Sequence, residues 1–245
     1  MRQAHEFSPE VAIVDLMLPG ISGSEVIQRL SAFPKPVLSC LATGMADFAL
    51  LKRALTEGAW SLLGKPFRLA HLAELLHSMA VMVSAREQLS SLSEDSPSDC
   101  LKITRRGDTP VTGEDIARVM QFALRNGADD DTARRRLPIV VYALLLNAQT
   151  HGAKESGDNW YRLLLGHDQT ELSIQVADSG KGFAWQKEMS RVRSSWDHSK
   201  AKGLQLVTAL CDEIQFGGDE FTAATSLTKT AKLEKPRAEA SRCKY

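Results

Sequence analysis

The first third of the chain repeats one rhythm: a short apolar run, a turn, then an amphipathic stretch. Val11-Ala12-Ile13-Val14 is rich in β-branched side chains and is stopped by Asp15 and Pro19-Gly20. A run of that length between turn residues predicts a buried parallel strand. Ser24 to Phe33 predicts a helix with Val26, Ile27 and Leu30 on its apolar positions. Pro36 to Leu41 predicts a second strand, and Asp47 to Glu57 a second helix closed by Gly58. Trp60 to Leu63 is a third strand. Leu69 to Ala85 is a third helix with Leu69, Leu72, Leu75, Leu76 and Met79 on one face. Strands alternating with helices predict an α/β, doubly wound parallel sheet.

The pattern then changes. Ser84 to Asp99 is rich in serine and acidic residues and contains Pro97, which reads as a linker or a fraying helix extension. Beyond it come a strand at Leu101–Thr104, a helix at Thr112–Arg125 ended by Asn126-Gly127, and a strongly apolar helix from Leu137 to His151 ended by Gly152. Strands at Trp160–Leu165 and Glu171–Ala177 follow, then a helix at Gly203–Asp212. Glu213–Phe216 and Phe221–Leu227 read as a hairpin around Gly217-Gly218. Antiparallel strands segregated from helices predict an α+β sandwich. The expected division is 1–83, a linker 84–100, a second domain 101–228, and a polar disordered tail 229–245.

Composition narrows the function classes. The 30 basic and 30 acidic side chains cancel, so no long-range field draws the chain to nucleic acid or an anionic membrane. Cys40, Cys100, Cys211 and Cys243 are scattered, with no CxxC pair, which argues against a disulfide framework or zinc site and fits a reducing cytoplasm. No apolar run reaches the ~18 residues of a membrane helix, and MRQAHEFSPE lacks the apolar segment of a secretory signal.

Three polar residues close the three predicted strands of the first segment: Asp15, Thr43 and Lys65. In an open α/β sheet, ligands bind beyond the carboxyl ends of the strands. A carboxylate there can attack a phosphoryl group, while a hydroxyl and an ammonium contact the phosphoryl oxygens. Lys65-Pro66 can adopt a cis peptide that aims the lysine. With Val14-Asp15-Leu16-Met17-Leu18-Pro19-Gly20, Ala42-Thr43-Gly44, Glu57-Gly58-Ala59 and Lys65-Pro66-Phe67 in order, the segment from Pro9 to Val83 resembles the receiver domain of bacterial response regulators, which is flavodoxin-like. The resemblance implies Asp15 as phosphoacceptor, Thr43 and Lys65 as phosphate-contacting residues, and a sensor histidine kinase as partner. Receivers also carry an earlier strand ending in an acidic pair that binds Mg²⁺. Only 14 residues precede Asp15, so that pair is not expected here. Asp15 alone would be a weak Mg²⁺ ligand. Leu62 stands at the position of the receiver's aromatic switch residue.

The apolar helix Leu137–His151 carries Asn147, and a buried unsatisfied amide costs about 1–3 kcal/mol. It therefore borders a polar site or has a local partner. Asp178-Ser179-Gly180-Lys181-Gly182 follows a predicted strand, where a carboxylate can accept from an exocyclic amine and glycines let backbone approach a ligand. Asn147-Ala148-Gln149-Thr150-His151-Gly152, this DxGxG box and Lys202-Gly203-Leu204-Gln205-Leu206-Val207 together resemble the GHKL ATPase superfamily (the Bergerat fold), in its anti-sigma-factor serine-kinase branch, over Leu101 to Leu227. The resemblance implies ATP and Mg²⁺ as cofactors, with Asn147 holding Mg²⁺ and Asp178 reading adenine. Gly180, Gly182 and Gly203 would line the nucleotide, and residues 184–202 would form a lid. Two positions depart: Ala143 stands where the family has its glutamate base, leaving no catalytic base, and Gln205 replaces a glycine.

Other signals are discounted. Gly217-Gly218-Asp219-Glu220-Phe221 spells a diguanylate cyclase motif but lacks that enzyme's upstream pattern, so a two-glycine turn is the better reading. His151 and His198 are single histidines without partners for a metal, no phosphoacceptor-histidine motif surrounds His71 and His77, and Arg134-Arg135-Arg136 reads as a solvated basic face. The expected function is a phosphorelay response regulator, phosphorylated on Asp15, whose ATP-binding output domain acts on an anti-sigma-antagonist-like regulatory protein. A homodimer is compatible with this reading. The alternative is an adaptor without nucleotide turnover.

Overall fold

A computed structural model describes residues 2–92, 99–153, 159–167, 171–180, 187–188, 190, 202–217 and 224–230. A short helix α1 (Arg2–Phe7) leads into β1 (Val11–Asp15), α2 (Gly23–Ser31), β2 (Leu38–Thr43), α3 (Phe48–Thr56), β3 (Ser61–Gly64) and α4 (Leu69–Leu89). The three strands are parallel in the order β1-β2-β3, as the alternating pattern predicts. Local chemistry sets the helix starts: the Ser22 hydroxyl accepts from Glu25 N–H and the Asp47 carboxylate from Leu50 N–H. Gly58 ends α3 at φ +103°, a left-handed turn that favours glycine.

α4 departs from expectation twice. Ala85 to Leu89 are good helix formers, so the helix runs into the proposed linker and stops only at Ser90. Its buried positions are Met79, Met82 and Ala85, while Leu69 is 81% exposed and Leu76 43%. Of the stripe read from sequence, Met79 is buried and Leu72 and Leu75 pack against the core, while Leu69 and Leu76 do not. Its second half packs on α5 (Gly113–Arg125), so closely that a Cβ on Gly113 would lie 2.6 Å from Ser84 Oγ.

The second part is a five-stranded antiparallel sheet, in the order β4-β5-β6-β8-β7, formed by β4 (Cys100–Arg106), β5 (Trp160–His167), β6 (Glu171–Asp178), β7 (Glu213–Gly217) and β8 (Ala224–Thr230). α5 begins with a reciprocal cap between Thr112 and Asp115. α6 (Leu137–Asn147) is buried from Leu137 through Leu145, as a helix apolar on every face must be, and it packs against α5, β5, β6 and α7 (Lys202–Leu210). The predicted helix to His151 is instead α6 followed by a wider π-helical turn, Ala148–Gly152. A second such turn, Thr132–Arg136, precedes it. The predicted hairpin is present as β7 pairing with β8. The expected disordered tail is corrected at its start, because Lys229 and Thr230 pair with Leu172 and Glu171. The rest of that tail, 231–245, lies outside the described residues.

Cys100 is disulfide-bonded, against the expectation from cysteine spacing. Among the described residues no helix is long and apolar enough to cross a membrane.

One apolar core runs through both parts, with polar clamps at their boundary. Arg135 donates from Nη1 to the carbonyls of Leu55 (2.6 Å) and Ala59 (3.1 Å), and from Nε and Nη2 to Asp131. Arg86 stacks over Trp60 at 5.2 Å and donates to the Pro36 carbonyl. Burial, and then the Arg134 charge, lower its pKa to about 10. Thus Arg135, read from sequence as part of a solvated basic run, is a mostly buried tie.

Candidate functional site

Asp15, Thr43 and Lys65 come together at the carboxyl edge of the parallel sheet. The register sets Asp15 beside Ala42 and Thr43 beside Gly64, so the three candidate residues end or directly follow three adjacent strands. The Asp15 carboxylate is ion-paired with Lys65 Nζ and accepts from Met17 N–H at 3.2 Å. Lys65-Pro66 is cis, as anticipated, and Lys65 N–H donates to the Thr43 carbonyl at 2.7 Å. Thr43 is buried, and its Oγ1 accepts from Met45 N–H at 3.1 Å. The start of α2 sits against this loop: a Cβ on Gly23 would lie 2.1 Å from the Asp15 carbonyl oxygen. Leu62, at the switch position, is fully buried in β3.

The hydrogen bond from Lys65, then that from Met17 N–H, holds the Asp15 carboxyl below the usual aspartate range. A lowered folded-state pKa stabilises the fold above the ordinary aspartate value, and this contribution is lost as pH falls through the lowered value. The pair is half exposed, so solvent screens it: Lys65→Met should leave the urea unfolding midpoint at pH 7 nearly unchanged.

Three exposed apolar side chains missed by the sequence reading surround the site. Met17, Met45 and Phe67 each lie two residues after Asp15, Thr43 and Lys65, with Met17 and Met45 both 82% exposed. Their signal was an apolar residue recurring two places beyond each polar one.

In the second part, Asp178 ends β6, half-buried, and its Oδ1 accepts from Gly180 N–H at 2.8 Å. Burial raises its pKa, partly offset by that bond. Gly152 and Gly180 converge on it. A Cβ on Gly152 would lie 2.0 Å from Asp178 Cγ, and one on Gly180 would lie 2.4 Å from the Gly152 carbonyl oxygen. The two boxes read separately from sequence therefore meet. The π-helical turn between Asn147 and Gly152 is anchored by Gln149 Nε2 donating to the Thr109 carbonyl at 2.9 Å, which also accepts from Tyr161 Oη at 2.7 Å.

Asn147 is half-buried at the end of α6, and its side-chain amide makes no hydrogen bond among the described residues. Ala143, one turn earlier, faces Gly203 of α7, whose added Cβ would sit 3.6 Å from Ala143 Cβ. Gln205 is buried, and its Oε1 accepts no hydrogen bond among the described residues. Gly182, His198 and most of the expected lid 184–202 lie outside the described residues, as do Gly218 to Phe221 of the cyclase-like motif. Among the described residues no three His, Cys, Asp or Glu side chains group as metal ligands, and this includes His71, His77 and His151.

The match to known families concerns the first site. Residues 1–77 match the response regulator receiver domain family. The N-terminal part is a response regulator receiver domain. The receiver is also similar to solved structures, at low overall superposition. With the signal receiver domain of a DNA-binding response regulator (merR) from Colwellia psychrerythraea 34H, the identity is 23% over 32% of this chain and 66% of the other, TM-score 0.31. With a two-component response regulator of the LuxR family from Aurantimonas sp. SI85-9A1 it is 24% over 32% and 57%, TM-score 0.31. A response regulator from Burkholderia pseudomallei, solved with a phosphorylated aspartic acid, calcium and citrate, is 24% identical over 56% and 72%, TM-score 0.28. The chain thus spans less than two thirds of the length of the first two of these relatives. No curated protein matches the chain.

Proposed function

We propose that the chain is a phosphorelay regulator in which the receiver takes a phosphoryl group on Asp15 and the second part holds an adenine nucleotide. The observation that carries the first half is the ionised Asp15 carboxylate held by Lys65 at the sheet edge. In the step, an Asp15 oxygen attacks the phosphorus of a phosphoryl donor and forms an acyl phosphate. The bond from phosphorus to the donor breaks, and the donor keeps the electron pair. Lys65 Nζ keeps its charge and moves its contact from the carboxylate to the phosphoryl oxygens. A sensor histidine kinase is the proposed donor, and a cytoplasmic location follows from such a partner. Mg²⁺ does not fit as a resident ion here: one carboxylate, already paired with lysine, is too few oxygen ligands, and no step above uses it.

The second half is supported by the convergence of Gly152, Asp178 and Gly180. Asp178 keeps one carboxylate oxygen beyond its bond to Gly180 and can accept from the exocyclic amine of adenine. Asn147, with its amide uncommitted, would serve the nucleotide-bound Mg²⁺, and Gly203 would lie beside the phosphates. ATP supplies binding energy and, where a base exists, a transferable phosphoryl group. Alanine at 143 offers no base, so nucleotide binding without efficient protein phosphorylation is proposed. The output is engagement of a regulatory protein, of the kind an anti-sigma antagonist represents. An adaptor that binds the partner without nucleotide is the second reading, favoured by Ala143 and by the buried side chain of Gln205.

Radiolabelled acetyl phosphate should label the chain, and Asp15→Asn should abolish labelling. Undiminished labelling of that variant removes Asp15 from its role. Calorimetric titration with ATP and Mg²⁺ should show binding weakened at least about tenfold by Asn147→Ala, as expected when a charge-assisted contact worth ~1.5–3 kcal/mol is lost. Because burial raises the Asp178 pKa, affinity should fall on acidification from a higher pH than an ordinary aspartate would give. Titrations with ATP and Mg²⁺ that show no heat of binding at either pH extreme would instead support the adaptor.

A further inference from the structure

Gly152 and Asp178 meet from two separate stretches of the chain, and β5 holds both. Its register with β6 sets Tyr161 directly across from Asp178. The pairing is closed one residue further on: Ser179 N–H donates to the Trp160 carbonyl at 3.1 Å, and Trp160 N–H donates to the Ser179 hydroxyl at 3.0 Å. Asp178 is thus fixed to β5 through the backbone. The Tyr161 side chain, 1% exposed, carries the same strand to the other wall. Its Oη donates to the Thr109 carbonyl at 2.7 Å, and Gln149 Nε2 donates to that same carbonyl at 2.9 Å. Gln149 belongs to the π-helical turn that ends at Gly152. A ring therefore closes from Asp178 through Tyr161, Thr109 and Gln149 to Gly152, and back by contact to Asp178.

The loop between β4 and α5, which carries Thr109, meets the turn a second time. Gly107 N–H donates to the Asn159 carbonyl at 2.9 Å, and a Cβ on Gly107 would lie 2.7 Å from Ala153 Cβ. Ala153 is buried, and its N–H donates to the Ala148 carbonyl, the bond that closes the turn. The loop thus bears on the turn both before and after Gly152. A carbonyl oxygen has two lone pairs, and at Thr109 one side chain from each wall uses them. A buried hydroxyl left without an acceptor is costly, so Tyr161 ties the loop down as well as filling space.

We propose that the β4–α5 loop is a brace: its Thr109 carbonyl, held by Tyr161 and Gln149, sets Gly152 against Asp178 and so aims the Asp178 carboxylate at the adenine ring. Tyr161 and Gln149 are positioning residues. The aim at adenine rests on the nucleotide reading above, and the setting of Gly152 against Asp178 does not.

The test uses the full chain with Tyr161→Phe, which removes only the hydroxyl, with Gln149→Ala, at a half-buried position, and with both. Without ligand, amide exchange at Ala153 should speed by about fivefold or more in each single variant, as the loss of one hydrogen bond implies. It should speed further in the double variant, while β6 and β8 keep wild-type exchange. Burial raises the Asp178 pKa, so a turn that gives way should let this carboxyl titrate at lower pH, read by carbon NMR. Either readout unmoved in the double variant overturns the brace. Equal acceleration throughout β6 and β8 is general loosening and overturns it too. Should Tyr161→Phe fail to fold, Gln149→Ala alone decides on the same two readouts. A second arm titrates ATP and inosine triphosphate, which carries an oxygen in place of the exocyclic amine, each with Mg²⁺. Both single variants should lose most of the wild-type preference for ATP, whereas equal weakening of the two nucleotides overturns the aiming role. Absence of binding or of preference in the wild-type chain counts against the nucleotide reading and leaves exchange and titration to judge the brace.

Discussion

Asp115→Ala is expected to destabilise the protein by about 3 kcal/mol, the low end of the cost of breaking a buried ion pair. Asp115 is 1% exposed and has three duties. It is ion-paired with Arg105 of β4, and its Oδ2 accepts from the backbone N–H and the hydroxyl of Thr112, each at 3.1 Å. The Thr112 hydroxyl in turn accepts from Asp115 N–H at 3.3 Å. Alanine ends the reciprocal cap, worth about 1 kcal/mol, and leaves the Arg105 guanidinium beside an apolar wall. Arg105 remains 30% exposed and can recover part of its hydration, which keeps the expected cost from the upper end. Asp115→Asn retains acceptor oxygen for Thr112 but not the charge, and should cost about half as much. Urea unfolding of the three proteins measures this. A loss under about 1 kcal/mol in Asp115→Ala would show that α5 is not secured to the sheet through this residue.

Gly152→Ala is expected to cost about as much, by a different mechanism. The new methyl group would start 2.0 Å from Asp178 Cγ and 2.2–2.3 Å from both carboxylate oxygens. Asp178 cannot yield freely, because Oδ1 is bonded to Gly180 N–H and Gly180 itself lies against Gly152. Forced displacement in a close-packed site costs about 1–3 kcal/mol. The same substitution should remove nucleotide binding, since it displaces the residue proposed to read adenine. Gly203→Ala supplies the contrast. Its methyl would sit 3.6 Å from Ala143 Cβ, an ordinary contact, so stability should hold within about 0.5 kcal/mol. A selective loss of ATP affinity in that variant would place its methyl in the path of the nucleotide. Equal stability of Gly152→Ala and wild type would mean that the π-helical turn can move away from β6.

The parallel sheet was legible because its strands are short apolar runs closed by Asp15, Thr43-Gly44 and Lys65-Pro66, and the spacing of those stops is what converges on the site. The antiparallel sheet and its helices were legible from the same periodicities, apart from their ends. What escaped was tertiary. The apolar stripe of α4 is continuous in sequence, and only packing reveals that Met79, Met82 and Ala85 are buried while Leu69 is not. Arg135 looked like one cation in a run of three, and no local rule says which of the three reaches two carbonyls about eighty residues away in sequence. The π-helical turns were invisible because no local pattern separates them from the α-helix they adjoin. The bond to Cys100 could not be read from spacing either, because scattered cysteines give no pattern.

The contact between Ala143 and Gly203 bears on how this chain can change. A glutamate at 143 would need room on the side of α6 where the backbone of α7 now rests. Placing a carboxylate there is therefore not a single substitution: α7 must first retreat, and every intermediate sequence must tolerate a charged side chain against a packed helix. The contact thus acts as a ratchet against any long charged side chain at position 143.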